Sequence, residues 1–200
     1  MFIKFADGSS LELITPERGG SDAQSRAYAA FLAVQEGGAY LALRAASLDS
    51  HPGSIREAIP TGPVSRYGSA FATAAPADSS LQWLFFIEYV TPVADADEVL
   101  VHHNGALGIE TAWVSQRARA GERTIRKHLG RGSVAVAPGT AEGAPVVGVT
   151  LRVRDAAQVQ RLLRSGPGLT LPLRTDGRGR SVRVPAIAAR GLWIEFLERE

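Results

Sequence analysis

A recurring order of sequence patterns constrains the fold of this chain more than any other feature. One strand pattern leads into Asp49 and another leads into Asp155, and a helix pattern and short strand patterns follow each of them. The separation along the chain is 39 residues from Asp49 to Glu88 and 40 residues from Asp155 to Glu195. Because similar patterns recur at a fixed period, we infer a repeated unit of one strand, one helix and three strands, used about four times.

The first predicted unit is incomplete. It retains a strand pair, residues 2–5 and 11–14, on either side of the turn signal Asp7-Gly8, but it lacks the opening strand and helix. A strand pair of this kind has an open edge near residues 2–5, which can pair with another chain. We therefore expect a homodimer.

The remaining units predict the fold class. The third unit, roughly residues 106–145, is degenerate, whereas the second and fourth are complete. Units this short cannot bury a sheet face alone, so copies must pair. We expect an α+β fold in which tandem βαβββ units form curved mixed β-sheets with helices outside. The first half would span residues 1–105, with the partial and one full unit, and the second half residues 106–200.

Three local patterns carry further predictions. Residues 54–59 can form a short helix before a proline. The helix pattern AAQVQRLLRSG would turn Leu162 toward the core, together with Val159 and Leu163. Asn104-Gly105 is the strongest short hairpin signal in the chain.

The composition is that of an ordinary globular chain. Of its 200 residues, 45% are hydrophobic and 21% are charged, and none is cysteine, which excludes disulfides and thiolate metal sites. No apolar run is long enough to span a bilayer, and the N-terminus shows no secretion-signal pattern. We therefore expect a cytoplasmic protein without a membrane partner.

The basic residues do not indicate a nucleic-acid partner. The stretch QRARAGERTIRKHLGRG holds six basic residues against the single acid Glu122, but the net charge of the chain is only +2. No aromatic residues are interleaved with the basic ones to stack on bases. A solvated helix face explains the stretch better, and we do not expect nucleic acid to bind.

Three glutamates each lie within an otherwise apolar, strand-like run: Glu12, Glu88 and Glu195. A buried carboxylate without a partner costs several kcal/mol or takes up a proton. Each inward glutamate therefore requires a cation, an arginine or a bound ligand. Arg44 and Arg152 are candidate arginine partners for Glu12 or Glu88.

Several stretches resemble a known family. They are FADGSSLELIT at 5–15, FFIEYV and HHNGALGIETAWV within 85–114, VVGVTLRVRD at 146–155 and ARGLWIEFLE at 189–198. Together they resemble the vicinal oxygen chelate superfamily, which groups glyoxalase I, extradiol dioxygenases and bleomycin-resistance proteins. The chain is most similar in pattern to bacterial glyoxalase-like domain proteins.

The resemblance implies a metal site with an incomplete set of ligands. In that superfamily a glutamate of the unit's last strand binds a divalent metal, and Glu12 and Glu195 match its position. The family's metal-binding histidine opens the first strand, where this chain has Gly148 and, in the second unit, a residue near Tyr40. A histidine before the Asn-Gly turn would have to replace it. The implied ligands are Glu12, His103 and Glu195, and the implied metal is zinc, nickel, manganese or iron. The alternative is a site that binds no metal.

Two functions follow from the resemblance. The first is a glyoxalase-like protein that binds a small organic molecule in a sheet-lined cup, with metal-dependent isomerase, lyase or dioxygenase chemistry. The alternative is a non-catalytic binding module of the drug-sequestering kind, which needs no metal. The expected pocket residues are Tyr40, Phe86, Glu88, His102 and Trp193.

Overall fold

A computed structural model describes residues 2–15, 23–45, 47–48, 55–57, 71–75, 81–89, 100–122, 125–126, 132–138 and 143–199. Its elements are β1 (Phe2–Lys4), β2 (Ser10–Glu12), α1 (Ala23–Val34), β3 (Leu41–Arg44), β4 (Ile55–Glu57), β5 (Phe71–Ala75), β6 (Leu84–Tyr89), β7 (Ala106–Val114), β8 (Ser133–Val136), β9 (Val146–Val153), α2 (Ala156–Ser165), β10 (Leu173–Asp176), β11 (Gly179–Val184) and β12 (Trp193–Glu198). Short 3-10 segments lie at Gln116–Gly121 and Ala186–Ala188. No helix among these residues is long and apolar enough to cross a membrane.

The larger sheet has six strands in the order β10-β11-β12-β9-β7-β8. Its central strands β9 and β12 run parallel, and β7 runs antiparallel to β9. Helix α2 packs on one face of this sheet, where its buried Val159 joins a cluster with Val149, Leu151 and Phe196. Because side chains alternate along a strand, the neighbouring residues of β9 and β12 lie on the opposite face.

The smaller sheet repeats the order of the larger one. Its strands lie in the order β3-β6-β5-β4, with β3 parallel to β6 and the other pairs antiparallel. In both sheets the first strand of the unit therefore pairs with the fourth. The fourth strand pairs with the third, and the third pairs with the second. This recurrence confirms the predicted α+β fold of repeated units with mixed sheets. The division of the chain into halves at residue 105 stays a prediction.

The sheet registers align the second unit with the fourth. In each unit a leucine of the first strand lies opposite a phenylalanine of the last strand, the pairs being Leu43–Phe86 and Leu151–Phe196. The alignment places the sequence WLFFIE, which ends at Glu88, beside WIEFLE, which ends at Glu198. Glu88 and Glu195, the end points of the 39- and 40-residue spacings, are therefore not equivalent positions of the two units.

Glu88 and Glu198 also have the same role. The Oε2 atom of Glu88 accepts a hydrogen bond of 2.9 Å from the backbone N–H of Leu48, just after strand β3. The Oε2 atom of Glu198 accepts one of 2.9 Å from the backbone N–H of Ala156, just after strand β9. Each carboxylate thus ties the last strand of its unit to the end of the first strand. Glu88 is the counterpart of Glu198 and not of Glu195.

Strand pairs of the first and third units are also present. Strands β7 and β8 run parallel, as the first and last strands of a unit do, with Ala112 opposite Val134. The first unit contributes the antiparallel pair β1–β2, with Ile3 opposite Leu11, which confirms the predicted hairpin. Gly8 has a φ of 84°, the left-handed conformation that the tight turn between these strands requires.

The hairpin of β1 and β2 is anchored to the start of β7. Asp7 Oδ1 accepts hydrogen bonds from the Ser9 backbone N–H at 2.9 Å and from Ser9 Oγ at 2.6 Å. Ser9 Oγ in turn accepts a 2.8 Å bond from the backbone N–H of Ile109. Phe5 is buried in the same core cluster as Ala106. The partial unit therefore packs against the six-stranded sheet through both polar and apolar contacts.

Three local predictions are corrected. Ile55–Glu57 is strand β4 and not a helix, because pairing with β5 supplies hydrogen bonds that so short a helix cannot. Leu162 is 39% exposed, since Val159 and Leu163, four residues apart, form the face that α2 packs inward. Asn104-Gly105 forms a tight turn, in which the Gly105 N–H donates to His102 O at 2.8 Å. Strand β7 follows the turn, but residues 100–103 before it form no strand, so the turn does not close a hairpin.

Helix α2 begins at a side-chain cap whose loss should be measurable. Asp155 Oδ1 accepts hydrogen bonds from the backbone N–H groups of Gln158 and Ala157, and these bonds lower the pKa of Asp155. We expect Asp155→Ala to lower the melting temperature by about 2–5 °C. Asp155→Asn keeps an acceptor at the same position and should lose much less. Circular dichroism during heating measures both, and equal losses would contradict the capping role.

Candidate ligand-binding site

The face of the six-stranded sheet opposite α2 carries polar and aromatic side chains beside the aliphatic Leu197. On β12, Ile194 and Phe196 pack in the α2 cluster, so Trp193 and Glu195 lie on the other face. Thr150 on β9 lies opposite Glu195 in the parallel register and shares that face. We call this surface the open face.

Glu195 is the buried centre of the open face. It is 1% exposed, and both of its carboxylate oxygens accept hydrogen bonds. Arg178 donates from Nη1 to Oε2 and from Nη2 to Oε1, each at 3.1 Å, in a bidentate pair. Arg183 donates from Nη2 to Oε1 at 3.1 Å, and Thr150 Oγ1 donates to Oε2 at 2.8 Å. The carboxylate is therefore paired on both oxygens.

The arginines decide the charge state of Glu195. Burial alone raises the pKa of this carboxyl, but the hydrogen bonds from Arg178, Thr150 and Arg183 outweigh burial and hold the pKa below its ordinary value. Arg178 also donates to Asp176 Oδ2 at 3.0 Å, which lowers the pKa of Asp176. Two guanidinium groups thus face two carboxylates, and the cluster is close to neutral.

Two tryptophans border this cluster. The rings of Trp113 and Trp193 are 5.3 Å apart and tilted by 50°. The indole N–H of Trp113 donates to Thr150 Oγ1 at 2.8 Å, and the guanidinium of Arg183 lies 4.9 Å from the centre of the Trp193 ring. The tryptophans and the buried glutamate therefore form one connected network.

Gly148 makes room for the Trp193 ring. A Cβ atom on Gly148 would lie 2.1 Å from Cε2 of Trp193, well inside any van der Waals contact. The ring thus covers the position where the family resemblance would place a metal-binding histidine.

The other residues predicted for the pocket lie elsewhere. Phe86 is 3% exposed and belongs to the core cluster that joins the two sheets. Tyr40 makes edge contacts with Tyr28 at 5.4 Å and Phe85 at 6.4 Å. Glu88 accepts the backbone hydrogen bond from Leu48 described above. Of the five predicted pocket residues, the open face contains Trp193.

Glu12 and the paired histidines lie on or beside the N-terminal hairpin. Glu12 lies at the end of β2, where partial desolvation raises the pKa of its carboxyl. His102 Nε2 lies 2.7 Å from the carbonyl oxygen of Lys4, and its ring packs on Phe5 at 5.1 Å. His103 is exposed.

Sequence reasoning missed four members of the network: Trp113, Thr150, Arg178 and Arg183. Both arginines lie in the basic stretch RTDGRGRSVR, residues 174–183. Its spacing held a signal, because Arg183 and Ser181 share one face of β11 whereas Val182 and Val184 share the other. An inward glutamate beside an arginine-bearing strand is the pattern that could have identified the pair.

Comparison with solved structures gives the fold. The 2,2',3-trihydroxybiphenyl 1,2-dioxygenase from Sphingomonas wittichii strain RW1 superimposes with a TM-score of 0.52 at 14% identity, over 80% of this chain and 70% of that one. A homoprotocatechuate 2,3-dioxygenase variant from Brevibacterium fuscum superimposes with a TM-score of 0.50 at 11% identity, over 80% of this chain and 55% of that one. The chain has the vicinal oxygen chelate fold.

The likeness extends to the fold alone, because both identities are far below the level at which function is shared. The chain also spans only 55% of the homoprotocatechuate dioxygenase. No protein-family model and no curated protein matches the sequence. The activity therefore has to be argued from the site.

The described residues do not fit the metal site that the vicinal oxygen chelate fold implies. They contain no group of three or more histidine, cysteine, aspartate or glutamate side chains that could hold a metal ion. Both oxygens of Glu195 are engaged by Arg178, Arg183 and Thr150, so a metal would have to displace cationic donors from it. Within the described part of the chain, the donor chemistry at Glu195 is that of an arginine pair.

Proposed function

We propose that the open face binds a small organic molecule without a metal, with a planar part against Trp113 and Trp193 and an acceptor group at Arg183. The carrying observation is the position of Arg183, which bonds the buried Glu195 on one side and lies over Trp193 on the other. This arrangement supports the non-catalytic binding alternative over the metal-dependent one. Homodimerisation stays a separate prediction.

Arg183 has donors to offer a ligand. A guanidinium carries five N–H groups, and the contact to Glu195 uses one of them. The side chain of Arg183 is 42% exposed, so the remaining donors can reach solvent or a ligand. An acceptor such as a carboxylate would gain charge-assisted hydrogen bonds there.

The network also holds these groups in place before a ligand arrives. Glu195 restrains both guanidinium groups, and Thr150 links the carboxylate to the Trp113 indole. Since side-chain ordering opposes binding by about 0.5–1.5 kcal/mol per flexible side chain, a restrained arginine favours affinity. The buried glutamate thus acts as a support for the surface groups rather than as a metal ligand.

Tryptophan fluorescence can test the proposal with benzoate as the probe and benzyl alcohol as its neutral counterpart. A Trp83→Phe background removes the buried third tryptophan, so that the signal reports Trp113 and Trp193. We expect saturable quenching by benzoate, weaker quenching by benzyl alcohol, and no effect of EDTA or added zinc. Arg183→Gln should weaken benzoate binding by about tenfold, the worth of one charge-assisted hydrogen bond.

Arg180→Gln is the matched control, because Arg180 lies on the same strand but pairs with Glu198 on the opposite face. It should leave benzoate binding unchanged. Quenching that appears only when a divalent metal is added would favour the metal-dependent isomerase, lyase or dioxygenase function instead. Equal losses in the two arginine variants, or no saturable quenching, would refute binding at the open face.

A further inference from the structure

A second pocket lies away from the open face, between strand β1 and the turn that precedes β7. It is a shallow cavity of about 430 Å³, lined by Phe2, Ile3, Lys4, His102, His103, Asn104 and Leu162. This volume is within the range of small-molecule sites in proteins. None of these lining residues belongs to the Glu195 network.

The hydrogen bond of His102 determines the chemistry of its ring. A carbonyl oxygen can only accept, so the contact of 2.7 Å to Lys4 O requires the proton on Nε2 of His102. In the neutral ring, Nδ1 therefore carries the lone pair. Packing against Phe5 fixes the ring plane.

The lining of the pocket matches an anion with a short apolar part. Its polar groups are the Lys4 cation, the two imidazoles and the Asn104 amide, whose oxygen accepts from Ala106 N–H and so leaves its NH₂ end available as a donor. No acid is among the described residues that line the cavity, although two acids flank it: Glu12 lies opposite Phe2, and Asp155 follows Arg154, whose N–H donates to Gly105 O. Phe2 and Leu162, which are 47% and 39% exposed, provide apolar walls.

We infer that this pocket is a second ligand site that takes a small monocarboxylate with a short apolar tail. The carboxylate would accept hydrogen bonds from the Asn104 NH₂ group and from a ring N–H of His103, beside the Lys4 charge. The tail would cover Phe2 and Leu162. This site is independent of benzoate binding at the open face.

Imidazole signals in proton–nitrogen NMR spectra test the inference, with hexanoate, hexanol and hexylammonium as probes of equal tail. Because the chain has four histidines, His102→Asn and His103→Asn variants each assign one ring by the signals that disappear. We expect hexanoate to shift the His102 signals saturably, hexanol to shift them less, and hexylammonium not at all. Equal shifts with hexanoate and hexylammonium, or shifts that do not saturate, would overturn the inference.

Leu162 offers a matched pair of variants, because its exposed position on α2 tolerates either charge. Leu162→Glu should weaken hexanoate binding by about tenfold, the effect of one repulsive charge near a protein surface, whereas Leu162→Lys should keep or strengthen it. Arg183→Gln should leave the hexanoate shifts unchanged. Equal affinity in the two Leu162 variants, or loss in Arg183→Gln, would place the carboxylate elsewhere and refute the second site.

Discussion

Replacing Arg178 and Arg183 together with glutamine will lower the free energy of unfolding by about 3–5 kcal/mol at neutral pH. The physical reason is the burial of Glu195, which is 1% exposed and would keep only the hydroxyl of Thr150 as a partner. An unpaired buried carboxylate is far more costly than the loss of two surface charges, and the arginines themselves are about 40% exposed. Urea denaturation at pH 7 measures the loss.

The dependence of this loss on pH distinguishes the mechanism. In the parent protein the pKa of Glu195 is lowered from 4.5, so its contribution to stability is present above pH 4.5 and is lost as the pH falls through the folded-state pKa. Without the arginines, burial would raise the folded-state pKa of Glu195 above 4.5. Stability would then be lost as the pH rises from 4.5 through this raised pKa. The difference between parent and variant should therefore be small below pH 4.5 and grow toward neutral pH.

A rescue variant controls for simple loss of packing. Adding Glu195→Gln to the double arginine variant removes the buried charge while it keeps the volume of the side chain, and it should recover most of the lost stability. The recovered protein should also lose the pH dependence of the double variant. A stability loss that is constant from pH 4 to pH 8, or that Glu195→Gln does not relieve, would refute the role assigned to the ion-pair cluster.

Gly148→Ala will destabilise the protein by about 2–3 kcal/mol, a large effect for one methyl group. The added Cβ would lie 2.1 Å from Cε2 and 2.3 Å from Cδ2 of Trp193, so the indole must move or the strands must separate. Either response shifts Trp193 relative to Trp113 and Arg183. We therefore expect weaker benzoate quenching together with a lower unfolding midpoint in urea.

Gly177→Ala is the control for glycine substitution in general, because a Cβ there meets no atom within 4 Å. Its stability should change by only a few tenths of a kcal/mol. Combining Gly148→Ala with Trp193→Leu should cost less than the sum of the two single changes, since the second removes the ring that clashes. Additive losses would show that Gly148 and Trp193 are not in contact.

The order of strands and helices was accessible from the sequence because it depends on local patterns. Alternation along GLWIEFLE is enough to put Trp193 and Glu195 on the same face, and turn residues located the Asp7-Gly8 hairpin. The need of an inward glutamate for a cation or an arginine was also predicted. The sequence did not predict which partner Glu195 takes, because Arg178 and Thr150 are 17 and 45 residues away from it along the chain.

The equivalence of Glu88 was misassigned for a related reason. Both Glu88 and Glu195 follow an isoleucine in an apolar run, so the sequence offers two alignments that differ in face. Strand register distinguishes them, and it pairs Phe86 with Leu43 and Phe196 with Leu151. A shift in register exchanges the two faces of a strand, which is why the local pattern alone could not assign the role of Glu88.

The sequence by itself determined that this chain repeats a unit of one strand, one helix and three strands, and that acids lie within its apolar strand-like runs. These properties depend on side-chain period and turn chemistry, which act between near neighbours. Only the tertiary structure decided that Glu195 is held by two arginines, that Trp193 covers Gly148, and that His102 faces a separate pocket. Those contacts join residues far apart in the chain, and packing of the assembled sheets selects them from several alternatives that the local patterns allow equally.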